Sequence, residues 1–183
     1  MRSHVRRRLS GRVVILDGAM GTELQARGMP PGVSPEVHAL ESPDVVRDIH
    51  ARYVLSGADV VYTCTFGANR YKLAQYGTFD IALVNRTLAG LARQASGGKS
   101  LVAGDIGPTG RFVEPFGDLG FEDAVSCFKE QVQGLLEGGV DLFVIETMMD
   151  IQEARAALVA IREITDAFCM VSLTYDEAGR TLT

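Results

Sequence analysis

Five short apolar runs punctuate the chain, at residues 13–16, 59–63, 101–105, 142–145 and 168–173. Each reads as a strand buried on both faces of a parallel sheet. Longer stretches between them carry apolar residues at helical spacing. Ser42-Pro43 opens the first helix, with Ser42 as N-cap and Pro43 at the first helical position. Val45, Val46, Ile49 and Tyr53 share its apolar face, and Gly57 closes it. The pattern resumes from about Asp80, with Leu83, Val84, Leu88, Leu91 and Ala95 on one face and Gly97-Gly98 at the end. Residues 121–138 form the next helix, lined by Ala124, Val125, Phe128, Val132, Leu135 and Leu136. Asp150 caps a further one, with Glu153 at the capping-box position and Ile151, Ala154, Leu158 and Ile161 as its stripe. Residues 30–40 show no period and read as loop. Residues 1–12 carry Arg2, Arg6, Arg7, Arg8 and Arg12; they read as a solvated lead-in helix or frayed end, or as a tail for an anionic partner.

The order is strand then helix, repeated, with a last strand. It predicts an α/β fold with a parallel sheet and right-handed crossovers, either doubly wound or closed as a barrel. An eight-unit barrel takes about 250 residues, and at roughly 40 per unit this chain supplies four units and a strand. The expectation is therefore one domain over residues 13–183, the front part of something longer. A barrel cut there leaves open strand edges, which invite self-association.

The candidate chemistry lies at strand tips, where α/β proteins hold ligands. Asp17 follows the first run, Asp105 ends the third and Glu146 ends the fourth. Asp17 alone could cap a helix, and Asp105 could cap its own loop. Gly18 and Gly21 allow a sharp turn or a close approach to a ligand, but their spacing is not that of a dinucleotide loop. Thr65 and Asn69 offer polar handles after the second strand, although a loop Asn is often a turn former. His50 stands beside an apolar stripe and reads as a packed helix residue; His38 is a second histidine that could be catalytic.

Composition removes some classes. The apolar fraction is 46%, ordinary for a globular domain. A net charge of −5 argues against a general nucleic-acid binder. No apolar run approaches the roughly 18 residues of a membrane span, and no signal-like segment follows the arginines. Cys64, Cys127 and Cys169 have no paired spacing, which favours reduced thiols and a cytoplasmic setting.

Five motifs in order carry a resemblance. They are Asp17-Gly18-Ala19-Met20-Gly21-Thr22, Gly57-Ala58-Asp59, Thr63-Cys64-Thr65-Phe66-Gly67-Ala68-Asn69, Gly104-Asp105-Ile106-Gly107-Pro108-Thr109-Gly110 and Ile145-Glu146-Thr147. Together they resemble the homocysteine S-methyltransferase family, most nearly the homocysteine-binding domain of cobalamin-dependent methionine synthases. The resemblance implies a (β/α)8 TIM barrel, of which this chain covers about the first five strands and four helical units. It implies zinc held by three cysteine thiolates beyond the fifth strand, in stretches not found here. Zinc would lower the thiol pKa of homocysteine, and the thiolate would take a methyl group from a donor such as methylcobalamin on a corrinoid domain or protein, giving methionine. By the same resemblance Asp17 and Glu146 hold the substrate ammonium, with Gly18, Thr65, Asn69 and Asp105 completing the substrate site. Cys64 and Ala39 stand where the corrinoid-type branch commonly has Asn. Gly67 stands where the betaine-using branch has an aromatic, which disfavours betaine as donor. Cys64, Cys127 and Cys169 lie too far apart in the expected fold to replace the zinc ligands. Two other readings stay open: Asp17 and Glu146 as an acid and base in another strand-tip chemistry, and an inactive fragment that binds an amino acid or a partner.

Overall fold

The computed structural model describes residues 2–183. The elements in chain order are α1 (Arg2–Leu9), α2 (Gly21–Ala26), α3 (Pro35–Glu41), α4 (Pro43–Leu55), β1 (Val60–Tyr62), α5 (Arg70–Leu73), α6 (Ile81–Ser96), β2 (Leu101–Ile106), α7 (Phe121–Glu137), β3 (Leu142–Met148), α8 (Ile151–Ile164) and β4 (Phe168–Leu173). The strands form one parallel sheet in the order β1-β2-β3-β4. Strand order follows chain order, as in barrel units; a doubly wound sheet would reverse direction at its switch point.

Strand alternation sorts the side chains. Val61, Val102, Phe143 and Ile145 join the core beneath α7 and α8, which also takes Ala89 and Ala92 of α6. Val60, Leu101, Ala103, Leu142 and Val144 face the other way and meet Val5 of α1. The lead-in helix is thus only partly solvated: Val5 is buried against the inner sheet face, while its arginines at 6 and 7 are exposed. A further cluster joins α2, α3, α4 and α6 through Leu24, Ala39, Ile49 and Leu88.

Several expectations need correction. Residues 13–16 do not form a strand; they make one parallel bridge, Leu16 to Val60. The segment has a sheet neighbour on one side only, and Val13 and Ile15 are 85% and 56% exposed, so little burial holds it extended. Asp59 anchors it instead, accepting from Ile15 N at 2.9 Å and from Arg12. Residues 30–40 are not all loop. Ser34 caps α3 by accepting from Glu36 N and Val37 N, with Pro35 in the first turn. This is the Ser-Pro signal that marks α4, on a helix too short to display a period. Ser42 makes no side-chain cap, because it also ends α3: its N–H donates to His38 O at 2.9 Å. Asp150 does cap α8, accepting from Gln152 N at 2.8 Å. Glu153 closes no capping box; it turns to the loop after β2 and accepts from Thr109 N at 2.7 Å and from Thr109 Oγ1.

His50 is fully buried on α4, and neither ring nitrogen has a hydrogen-bond partner. Burial lowers its pKa from 6.5 to about 4. Above pH 6.5 the ring is neutral whether the chain is folded or not, so it contributes no pH dependence. As pH falls from 6.5 towards 4 only the unfolded chain takes up the proton, and stability is lost. Replacing His50 by leucine should remove about 2 kcal/mol of the stability lost between pH 7 and pH 5. Urea titrations of both chains at the two pH values measure this; an unchanged pH dependence would refute it.

Candidate functional site

A cleft of about 810 Å³ opens at the C-terminal end of the sheet. Asp17, Tyr62, Asp105 and Glu146 line it, together with Gly18, Glu36 and Lys72. The placement follows from strand alternation. Tyr62, Asp105 and Glu146 share the inner-face parity of Val60, Ala103 and Val144, each further along its strand. The face that is apolar at the bottom of the sheet therefore becomes acidic at the top.

Asp17 Oδ2 accepts from Tyr62 N at 2.9 Å, and Asp17 N donates to Val60 O at 3.0 Å. The residue is not a helix cap: α2 begins at Gly21, with Met20 as its N-cap residue. Burial raises the Asp17 pKa to about 7, opposed by the Tyr62 amide and reinforced by Glu146. Gly18 packs under Tyr53, where a Cβ would meet the phenol oxygen at 2.9 Å. Tyr53 OH donates to Ala19 O at 2.9 Å and fixes this turn.

Asp105 is 4% exposed, and its Oδ1 has no hydrogen-bond partner. It does not cap its own loop. Its backbone is clamped by two threonines: Asp105 N donates to Thr63 Oγ1 at 2.9 Å, and Thr65 Oγ1 donates to Asp105 O at 2.7 Å. Burial first, then the neighbouring Glu146 carboxyl, pushes Asp105 well above the usual carboxylate range. Glu146 is also raised by burial, while its contact with Asp105 lowers it. Of the two, Asp105 holds the proton. Tyr62 is pushed up to about 12 by burial and by the surrounding carboxylates.

Thr65 and Asn69 stand outside the cleft wall and are fully buried. The Thr65 amide already donates to Thr63 O at 2.8 Å. Asn69 caps α5, accepting from Tyr71 N at 3.1 Å and Lys72 N at 3.0 Å, and its amide donates to Pro108 O at 3.4 Å. Both hold the loops after β1 and β2 together.

Tyr62, Glu36 and Lys72 escaped the sequence reading. Glu36 accepts from Gly67 N and is bonded to Ser34 Oγ. Its signal was the Ser34-Pro35 helix start. Lys72 Nζ lies 4.7 Å from the centre of the Phe66 ring. Burial lowers its pKa, against Glu36, Glu153 and Asp105. Treating Asn69 as a helix cap would have placed Lys72 on α5 beside the cleft. The half-buried His38 lies on α3 and His50 is packed within α4; neither lines the cleft.

Cys64 is buried in the cleft wall, Cys127 within α7 and Cys169 on β4. Burial raises the pKa of all three thiols. Among the described residues no three His, Cys, Asp or Glu side chains gather as a metal site. The donors present do not fit a tetrahedral zinc ion. The cleft instead concentrates carboxylates in a poorly solvated place, where a cation would offset their mutual repulsion.

The family model described as homocysteine S-methyltransferase matches residues 14–183. The fold is similar to crystal structures of the homocysteine methyltransferase MmuM from Escherichia coli. The oxidised form aligns with TM-score 0.85 and 25% identity, over 96% of this chain and 68% of that one. The metallated form gives 0.84 and 26%, over 97% and 70%. The apo form gives 0.72 and 25%, over 97% and 68%.

Proposed function

The chain belongs to the homocysteine S-methyltransferase family, and from that membership we propose that its cleft binds homocysteine for methyl transfer to the thiol sulfur. The observation that carries the reading is the inward convergence of Asp17, Asp105 and Glu146 on one cleft. An α-ammonium there would find ionised Asp17 and Glu146 as charge-assisted acceptors, with the unpartnered Asp105 Oδ1 beside them. Thr63 and Thr65 hold Asp105 in place, and Asn69 caps α5, the short helix that carries Lys72. The Thr65 amide is already bonded, so the Gly18 turn is the better site for the substrate carboxylate.

In the family, metal activates the homocysteine thiol, and a metallated form of MmuM is among the similar structures. The described residues supply no such donor set. We propose that residues 13–183 are the amine-binding part of a (β/α)8 barrel, and that these 183 residues bind homocysteine without turning it over. A corrinoid-bound methyl group is the proposed donor, on resemblance. Gly67 packs against Glu36: a Cβ there would meet Glu36 Oε1 at 2.8 Å, so a larger side chain would have to displace that carboxylate. No helix among the described residues is long and apolar enough to cross a membrane.

Calorimetric titration with L-homocysteine and with 4-mercaptobutanoate, which lacks the amine, tests the reading. Preference for the amine-bearing thiol is expected; equal affinities, or no binding of either, would overturn it. Acid should weaken binding through Asp17. Its carboxyl is ionised above about pH 7 and attracts the ammonium only in that form. Affinity should fall about tenfold from pH 8 to pH 6, with a proton released on binding in the acid range. Asp17→Asn should abolish both effects. A flat profile in the unsubstituted chain would remove Asp17 from the ammonium site.

A further inference from the structure

The strand that delivers Glu146 is not regular. Ile145 pairs with Val171 and Met148 with Leu173, so Glu146 and Thr147 together oppose the single residue Ser172. This two-against-one count is a β-bulge. It changes which side chains face the cleft. Val144 lies on the inner face and Ile145 in the helix-side core. Strict alternation would then turn Thr147 outward and Met148 inward. Instead Glu146 and Thr147 both line the cleft, and Met148 returns to the helix-side core, fully buried.

The bulge has a conformational cost. Thr147 has φ of 56°, the one positive value at a non-glycine residue among the described residues. A β-branched side chain resists that region, so something must hold the backbone there. The holder is Ser172: Thr147 N donates to Ser172 Oγ at 2.8 Å. A side-chain hydroxyl takes the position a backbone carbonyl has in a regular ladder. Beyond it the neighbouring strands reconnect, with Thr174 N donating to Met148 O at 2.9 Å.

We propose that Ser172 is the positioning residue for Glu146: its hydroxyl pins the bulge at Thr147 and so aims the carboxylate into the cleft. The assignment deepens the ammonium-site reading and rests on it for its functional meaning. Ser172 need not touch substrate. It acts through the Thr147 backbone, and its contribution should appear only in what Glu146 does.

Three variants separate hydroxyl from shape. Ser172→Thr keeps the oxygen. Ser172→Val has nearly the shape of threonine without the oxygen, and β-branched residues suit a strand, so both should fold. Ser172→Ala is the smaller control. The readout that needs no substrate is the carbon-13 titration of the Glu146 carboxyl, with Asp17 as internal reference. In Ser172→Val and Ser172→Ala the Glu146 midpoint should move down towards the ordinary glutamate value as the carboxylate swings to solvent. Asp17 should hold, and Ser172→Thr should match the unsubstituted chain. A purely structural serine would leave the Glu146 midpoint where it was, and that result overturns the proposal. In titrations with L-homocysteine, Ser172→Val should bind roughly five- to tenfold more weakly, with 4-mercaptobutanoate unaffected. If Glu146→Gln leaves homocysteine binding unchanged while the carboxyl titration responds to Ser172→Val, the ammonium reading fails and the positioning role stands.

Discussion

Glu146→Gln should weaken L-homocysteine binding by roughly 10- to 100-fold and leave 4-mercaptobutanoate binding nearly unchanged. Glutamine keeps the shape and one acceptor oxygen but removes the charge, so the loss isolates the charge-assisted part of the ammonium contact. The magnitude rests on environment. Glu146 is half-buried in a cleft that burial has already made hostile to carboxylates, as the raised titration of Asp17 and Asp105 shows. An ion pair formed there is screened less than one on the surface. The substitution should not unfold the chain, because glutamine keeps an acceptor beside the protonated Asp105 and removes a charge that burial disfavours. Titration calorimetry with both thiols decides the matter. A parallel loss for both would show that the effect is general damage rather than amine recognition.

The largest effect on stability is expected at Gly134. It lies on α7 where that helix crosses α6, and a Cβ there would sit 2.2 Å from Ala82 O and 2.9 Å from Ala82 C. These are backbone atoms, so no rotamer can move aside; the helices themselves must part. Gly134→Ala should therefore cost about 3 kcal/mol, although alanine is the better helix former by about 1 kcal/mol. That loss is a large share of the roughly 5–15 kcal/mol that holds a typical domain together. Gly90 on α6 gives the matching control. Nothing lies within 4 Å of its missing Cβ, so Gly90→Ala should stabilise by about 0.5–1 kcal/mol. Denaturant midpoints for the two variants should move in opposite directions. Equal shifts would mean that the α6–α7 approach is not what glycine serves.

The elements legible in the sequence are those with enough length to show a period. Helices α4, α6, α7 and α8 were placed closely, because each buries a continuous stripe and ends at a glycine or a cap. The strands β1 to β3 were legible because both faces are covered, so their apolar runs are continuous; β4 shows a similar run although Val171 is 49% exposed. The short helices α2, α3 and α5 span only 6, 7 and 4 residues, fewer than a stripe needs; the caps Ser34 and Asn69 could have revealed α3 and α5, while α2 follows Met20, which makes no side-chain cap. Residues 13–16 looked like a strand because an apolar run does not say whether it has partners.

The chain's own residues determined that carboxylates close three of the apolar runs: Asp17, Asp105 and Glu146 could be named from position alone. The motif order pointed to the family that the family model then matched. Tertiary structure alone decided which of the named residues meet. Thr65 and Asn69 sit in the right loops yet turn inward to clamp Asp105 and Lys72, because a loop residue's direction depends on what packs beneath it. Glu36 enters the cleft wall from α3 because Ser34 and Gly67 hold it there. The bulge at Thr147 is likewise invisible in the linear pattern. Local sequence records propensity and periodicity, which act over a few residues. The aim of a carboxylate is set by contacts from distant strands, as Ser172 is from Thr147.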